Sequence, residues 1–162
     1  MDREQFIATF RGHLQDVSRY LSRRVHRDQV EDLASEVFEI AWAKKDQCPK
    51  EFELAWLFRI AGFVVSNHRR KSANRVLHFS LLDTDKAAPS AEDVALDGSN
   101  IAIAFGALSS SDRQLLSLLV FEELSVKEIA VVLQVSENTA SQRLKRARER
   151  LAKQLSNQES DI

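Results

Sequence analysis

The sequence predicts an all-α protein made of two small helical domains joined by a flexible linker. Three observations predict it. Only 4 Gly and 2 Pro interrupt 162 residues. Apolar residues recur at three- and four-residue steps in both halves, with little β-branched alternation. Between residues 73 and 100 the pattern fades around Asp83-Thr84-Asp85-Lys86-Ala87-Ala88-Pro89-Ser90. Such a stretch is long for an internal loop and reads as a tether. The expected division is a first domain over 1–75, a linker over 76–103 and a second domain over 104–162.

Phe6, Phe10, Leu14, Val17, Leu21 and Val25 step along one face of a first helix. Leu33, Val37, Ile40 and Ala41 repeat the stripe in a second, with Asp28 as its expected N-cap. Leu54, Leu57, Phe58, Ala61, Val64 and Val65 form a third, entered after Pro49 and running to about Ser72. In the second half, Ser111-Asp112-Arg113-Gln114 has the capping-box pattern and opens a helix through Leu115, Leu116, Leu118 and Leu119. Ser125-Val126-Lys127-Glu128 is a second such box, leading into Ile129, Ala130 and Leu133. Ser136 caps a last helix whose buried face is Ala140, Leu144, Ala147, Leu151 and Leu155. The tight turn from Gln134 to Ser136 between these two helices predicts a helix-turn-helix.

Charge balance hides local structure. There are 23 Lys and Arg against 24 Asp and Glu, yet Arg143 to Lys153 holds six basic residues and one acidic, Glu149. A local basic stripe matters more to phosphate binding than the global sum. At 100° per residue, Asn138, Gln142, Lys145, Arg146 and Glu149 lie opposite Leu144. Asn, Gln, Lys and Arg are the side chains that reach base edges and phosphates in a major groove. In the third helix Trp56, Arg59, Phe63, Ser66, Asn67 and Arg70 face away from Ala61. Cations interleaved with exposed rings suit single-stranded nucleic acid, where rings stack on unpaired bases. The rival reading packs Trp56 and Phe63 against another helix. His68 falls on the buried side. The second helix sets Glu31, Asp32, Glu36 and Glu39 among Val37, Phe38 and Trp42. This surface suits a basic protein partner, or is an ordinary solvated acidic face.

Other chemistries find little footing. The lone Cys48 excludes a disulfide framework and fits a reducing compartment. His13, His26, His68 and His78 show no paired metal spacing, and no glycine-rich phosphate loop occurs. The expectation is a protein that is not an enzyme, takes no cofactor or metal and does not insert in a membrane. Residues 1–5 lack the basic flank and apolar run of a signal peptide, which points to the cytoplasm.

Two groups of motifs resemble a known family. Asp32-Leu33-Ala34-Ser35-Glu36-Val37-Phe38, Ala55-Trp56-Leu57-Phe58-Arg59-Ile60-Ala61 and His68-Arg69-Arg70 resemble region two of an extracytoplasmic-function (ECF) sigma factor of the sigma-70 family. Leu124 to Ala130, Ser136-Glu137-Asn138-Thr139 and Arg143 to Arg148 are similar to its region four. The resemblance implies an alternative sigma factor that directs core RNA polymerase to promoters. Asp32, Glu36 and Val37 would meet the polymerase β′ clamp helices. Arg59, Phe63, Asn67, His68 and Arg70 would capture the melted −10 element. Asn138, Thr139, Ser141, Gln142, Arg143 and Arg146 would read the −35 duplex. The implied partners are the polymerase core (β′ and β), promoter DNA and an anti-sigma factor. Gln134 stands where the family usually has Gly, at an expected cost of about 1 kcal/mol if that site needs positive φ. The alternative is a two-domain helix-turn-helix regulator acting as a dimer on palindromic sites.

Overall fold

The computed structural model describes residues 1–80 and 99–161, the side chains of 76–80 excepted. The chain forms two compact units, Met1–Val94 and Ala95–Ile162. Within the described residues every regular element is helical. Residues 81–98, where the acidic part of the tether was expected, lie outside the described residues. Helices cover part of its expected range at both ends, reaching Ser80 on one side and starting at Asn100 on the other.

In the first unit the expected opening helix is broken. α1 (Arg3–Phe10) and α2 (Leu14–Ser22) are separated by a 3-10 turn over Arg11–His13. The tighter turn shifts the phase of the apolar stripe. Phe6, Phe10, Val17, Leu21 and Val25 are buried as expected, but Leu14 is 51% exposed. α3 spans Val30–Ala43, and its N-cap position is Gln29, without a side-chain cap bond. Asp28 is not the cap. It sits in a preceding 3-10 turn, and its own N–H donates to His26 Nδ1 at 3.4 Å.

α4 runs over Glu53–Ser80, longer than expected because no proline or glycine stops it near Ser72. It packs on α3 and α2 through Leu57, Phe58, Ala61, Val64 and Val65. Tyr20 stacks on Phe58 with ring centroids 5.0 Å apart. The Arg24 guanidinium caps the other side, 3.6 Å from the Tyr20 centroid, and Nη1 donates to the Tyr20 carbonyl at 2.9 Å. Arg69 in turn donates to the Arg24 carbonyl at 3.4 Å, tying α4 to the end of α2. A buried arginine is tolerable here because its donors are satisfied and its flat face lies on a ring.

The second unit opens with α5 (Asn100–Gly106), which the sequence pattern did not reveal; Ser99 caps it. α6 spans Ser110–Val120, and Ser109, not Ser111, is its cap, accepting from the Asp112 N–H at 3.2 Å. With the helix starting two residues earlier, Asp112 lies on the buried side, where it is 7% exposed. Arg113 Nη1 donates to the carbonyls of Gly106 and Leu108 at 3.0 and 3.1 Å, fixing the α5–α6 turn.

α7 (Val126–Leu133) begins at the expected capping box. The Ser125 N–H donates to Glu128 Oε2 at 2.7 Å and the Glu128 N–H donates to Ser125 Oγ at 3.2 Å. It ends at Gln134, whose φ of 54° and ψ of 45° are left-handed. The Gln134 N–H donates to Val131 O and the Val135 N–H donates to Ala130 O, the two bonds of a Schellman motif. α8 (Glu137–Ser160) starts at Ser136, which accepts from the Thr139 N–H at 3.1 Å. Ala140, Leu144 and Ala147 bury its inner face, and Leu151 and Leu155 are half-buried. α8 packs against α5, α6 and α7.

Candidate nucleic-acid interface

Both faces expected to carry nucleic-acid chemistry belong to long helices packed chiefly through their apolar side. On α8 the Leu144 stripe turns inward, which leaves Asn138, Ser141, Gln142, Arg143, Lys145 and Arg146 exposed. Of the expected −35 residues only Thr139 is half-buried, and its hydroxyl accepts from Ser136 Oγ at 2.9 Å. Thr139 therefore belongs to the cap that starts the helix. Arg150, which is not among the expected −35 residues, lies on the flank of the same helix. Its Nη1 meets both Asp112 carboxylate oxygens at 3.0 Å. The pair spans 38 residues of sequence, so spacing gives no hint of it. The only signal was an arginine recurrence at 143, 146 and 150.

On α4, Phe63 is 57% exposed, and Ser66, Asn67 and Arg70 are exposed around it. Arg59 and His68 are half-buried. Arg70 Nη2 donates to Asn67 Oδ1 at 2.9 Å, which holds both polar groups on one turn beside Phe63. Trp56 departs from expectation: it is 4% exposed, because α1 covers the first turns of α4 and Phe10 lies 6.0 Å from it, ring to ring. The outward face thus begins at Arg59 and carries one exposed ring.

The acidic face of α3 is in part as expected. Asp32 is exposed and Glu36 half-buried, but Val37 is fully buried in the core and cannot touch a partner. It sits on the same inward stripe as Leu33 and Ala41, so its neighbours form that surface instead. Beside them a groove of about 750 Å³ runs between α2 and α3, lined by Leu14, Arg19, Glu31, Ala34, Ser35 and Phe38 among others. Trp42 is 38% exposed, with Phe6 edge-on at 5.2 Å and Lys45 Nζ 4.2 Å above its ring.

Among the described residues no group of acidic, His and Cys side chains could hold a metal ion. No helix there is long and apolar enough to cross a membrane. Cys48 is half-buried, and burial, helped by nearby Glu53, pushes its thiol up to about 11.

Two family models match the chain, sigma-70 region 2 over residues 9–75 and sigma-70 region 4 over residues 101–151. Together they span most of it. The chain belongs to the sigma-70 family. Its two matched regions and the solved structures that it resembles make it an ECF-type alternative sigma factor. The sigma factor RpoE of Bartonella quintana, solved with the anti-sigma factor NepR, is 26% identical with a TM-score of 0.60; the match covers 94% of this chain and 96% of that one. CnrH, solved with the cytosolic domain of CnrY, is 22% identical with a TM-score of 0.54 and coverages of 95% and 87%. A chain of the PhyRSL–NepR complex from Sphingomonas sp. Fr1 is 18% identical with a TM-score of 0.57 and coverages of 96% and 90%. These last two are likenesses of fold. No curated protein sequence matches. As a sigma factor, the chain belongs to a family of transcription factors that are not enzymes.

Proposed function

We propose that this sigma factor works in the cytoplasm as a two-handed promoter reader. Arg59, Phe63, Asn67 and Arg70 on α4, with His68 at the margin, take unpaired bases of the −10 element. Asn138, Ser141, Gln142, Arg143 and Arg146 on α8 read the −35 element as duplex, with Thr139 setting where that helix begins. Asp32 and Glu36 on α3 meet the β′ clamp helices of core polymerase, and the polymerase β subunit is a further contact. The tether makes the second DNA contact intramolecular, which raises its effective concentration.

The observation that carries this reading is Phe63. A phenylalanine 57% exposed in mid-helix leaves apolar surface in water, and it is flanked by a cation and two polar groups. An unpaired base stacked on it gains about 1–3 kcal/mol, which offsets the few kcal/mol lost when that base leaves the duplex stack. The complex of RpoE with NepR supports an anti-sigma factor as a further partner here. The rival, a dimeric operator-binding regulator, has no use for this α4 face.

The test is transcription in vitro with purified chain, core polymerase and a library of genomic promoter fragments. Initiation at a small set of shared sequences, only when the chain is present, is the expected result. Failure to programme core, combined with tight binding of palindromic DNA without polymerase, would overturn it.

A further inference from the structure

A cleft of about 220 Å³ lies where the start of α6 meets the middle of α8, lined by Arg143, Arg146, Arg150, Ser111, Asp112 and Gln114 among others. Three guanidinium groups share it with one carboxylate. That carboxylate is nearly buried, its side chain 10% exposed, and both its oxygens are taken up by Arg150 Nη1. The contact fixes Arg150 by one corner of its fork, and the other N–H groups of the fork are not used in it. Arg143 and Arg146 make no hydrogen bond or ion pair among the described residues. The cleft therefore holds an excess of positive charge, with the positive end of the α6 dipole added to it.

Helical geometry relates this cleft to the duplex-reading face. At 100° per residue, Arg143, Arg146 and Arg150 form one stripe, and it directly flanks the stripe of Asn138, Gln142 and Lys145. A helix whose central stripe faces base edges places its flank against the sugar-phosphate wall of the groove. Arginine forks suit that wall because they meet phosphate oxygens with paired N–H bonds.

We infer that the Arg143–Arg146–Arg150 cleft is a seat for one backbone phosphate of the −35 duplex, with Arg150 held ready by Asp112. The inference rests on the proposed reading of α8 as the duplex reader. It assigns Arg150 and Asp112 a part in setting the register of the helix on DNA. Asp112 acts through Arg150 and is a positioning residue. The contact to that phosphate carries no sequence information of its own: it fixes the register of the helix, and so where the base-facing side chains of α8 are presented.

The experiment measures binding of the full chain, assembled with core polymerase, to promoter duplexes in which single −35 linkages are replaced by uncharged methylphosphonate. The wild-type complex is expected to weaken about tenfold when one particular linkage is neutralised, as for loss of a charged hydrogen bond. Arg150→Gln is expected to weaken binding to unmodified DNA by about the same factor. It should then lose clearly less than the wild type at that linkage, where Arg143 and Arg146 still face the phosphate, and keep its −35 base preference. Because Arg150→Gln strands a buried carboxylate, the double variant D112N/R150Q, which restores a neutral hydrogen-bonded pair, is measured beside it, and far-UV melts check that both are folded. Unchanged affinity in the folded variants, or full sensitivity retained at every linkage, overturns the phosphate seat while leaving duplex reading intact. A wild-type complex indifferent to both −35 sequence and −35 linkages removes the reading beneath it as well.

Discussion

Gln134 is the residue that joins α7 to α8, and its left-handed backbone gives a sharp test of how that junction is held. The Schellman bonds from Gln134 and Val135 need this conformation, whatever side chain is present. For a residue with a Cβ it costs about 1–2 kcal/mol. Glycine removes that strain but gives back roughly 0.5–1 kcal/mol through the greater freedom of the unfolded chain. The expected net effect of Gln134→Gly is a gain of about 0.5–1 kcal/mol. For a unit of this size that is a rise of roughly 2–8 °C in melting temperature. The assay has an internal control. Both tryptophans, Trp42 and Trp56, lie in the first unit, so their fluorescence follows that unit, whereas far-UV circular dichroism follows both. The substitution should delay the part of the dichroism melt that fluorescence does not see and leave the fluorescence transition where it was. An unchanged or earlier dichroism transition would refute the reasoning, because the junction would then not be strained. Gln134→Val should move it the other way, since a β-branched residue tolerates positive φ least.

Other outcomes follow from the same structure. Gly62→Ala should stabilise the first unit by about 0.5–1 kcal/mol, read as a higher urea midpoint by tryptophan fluorescence; the added Cβ would meet only Tyr20 Oη, at an ordinary 3.5 Å. Phe63→Ala should change the stability read from that midpoint by no more than about 0.5 kcal/mol, as an exposed site. The same variant should weaken capture of a single-stranded −10 oligonucleotide by polymerase holoenzyme by about 1–3 kcal/mol. Equal capture by both proteins would remove Phe63 from the −10 site. Cys48 should alkylate slowly at neutral pH, its rate rising with pH until about 11, because burial holds the thiol form. Its raised value also has a stability sign. Between the ordinary thiol value of 9.0 and about 11 the folded chain keeps a proton that the unfolded chain gives up, so this contribution fades as pH rises through that window. Cys48→Ser should flatten the corresponding slope in denaturation midpoints.

Much of this architecture was legible because local chemistry and tertiary packing agree. The Ser125–Glu128 box, the Ser136 cap and the Ala140, Leu144 and Ala147 stripe each specify an element without reference to distant residues, and all three hold. Two of the misses, Trp56 and the Asp112–Arg150 pair, share one physical origin, which is that their packing partners are remote in sequence. Trp56 has the phase of a surface residue on α4 and is covered by α1, an element 46 residues earlier by way of Phe10. The Arg11–His13 turn is invisible because the apolar steps continue across it. Among three consecutive serines, Ser109 becomes the α6 cap because that phase lets Asp112 meet Arg150. α5 escaped notice because its seven residues carry Ile101 and Ile103 outward, both 57% exposed, against the rule that apolar residues mark the inner face. At the candidate site the exposed α8 and α4 residues were readable from periodicity, and the Asp112–Arg150 pair was not. Val37 shows the opposite hazard, a motif residue whose place in the pattern reflects the core beneath a surface.

The economy with which α8 is anchored has an evolutionary consequence. Ala140, Leu144 and Ala147 secure its first three turns, while the side chains beside them project into solvent. Exposed positions of this kind accept exchange at little cost in stability, usually within about 0.5 kcal/mol. On the proposed reading of α8, a descendant of this chain can therefore acquire a taste for a different promoter one side chain at a time, without passing through an unfolded ancestor.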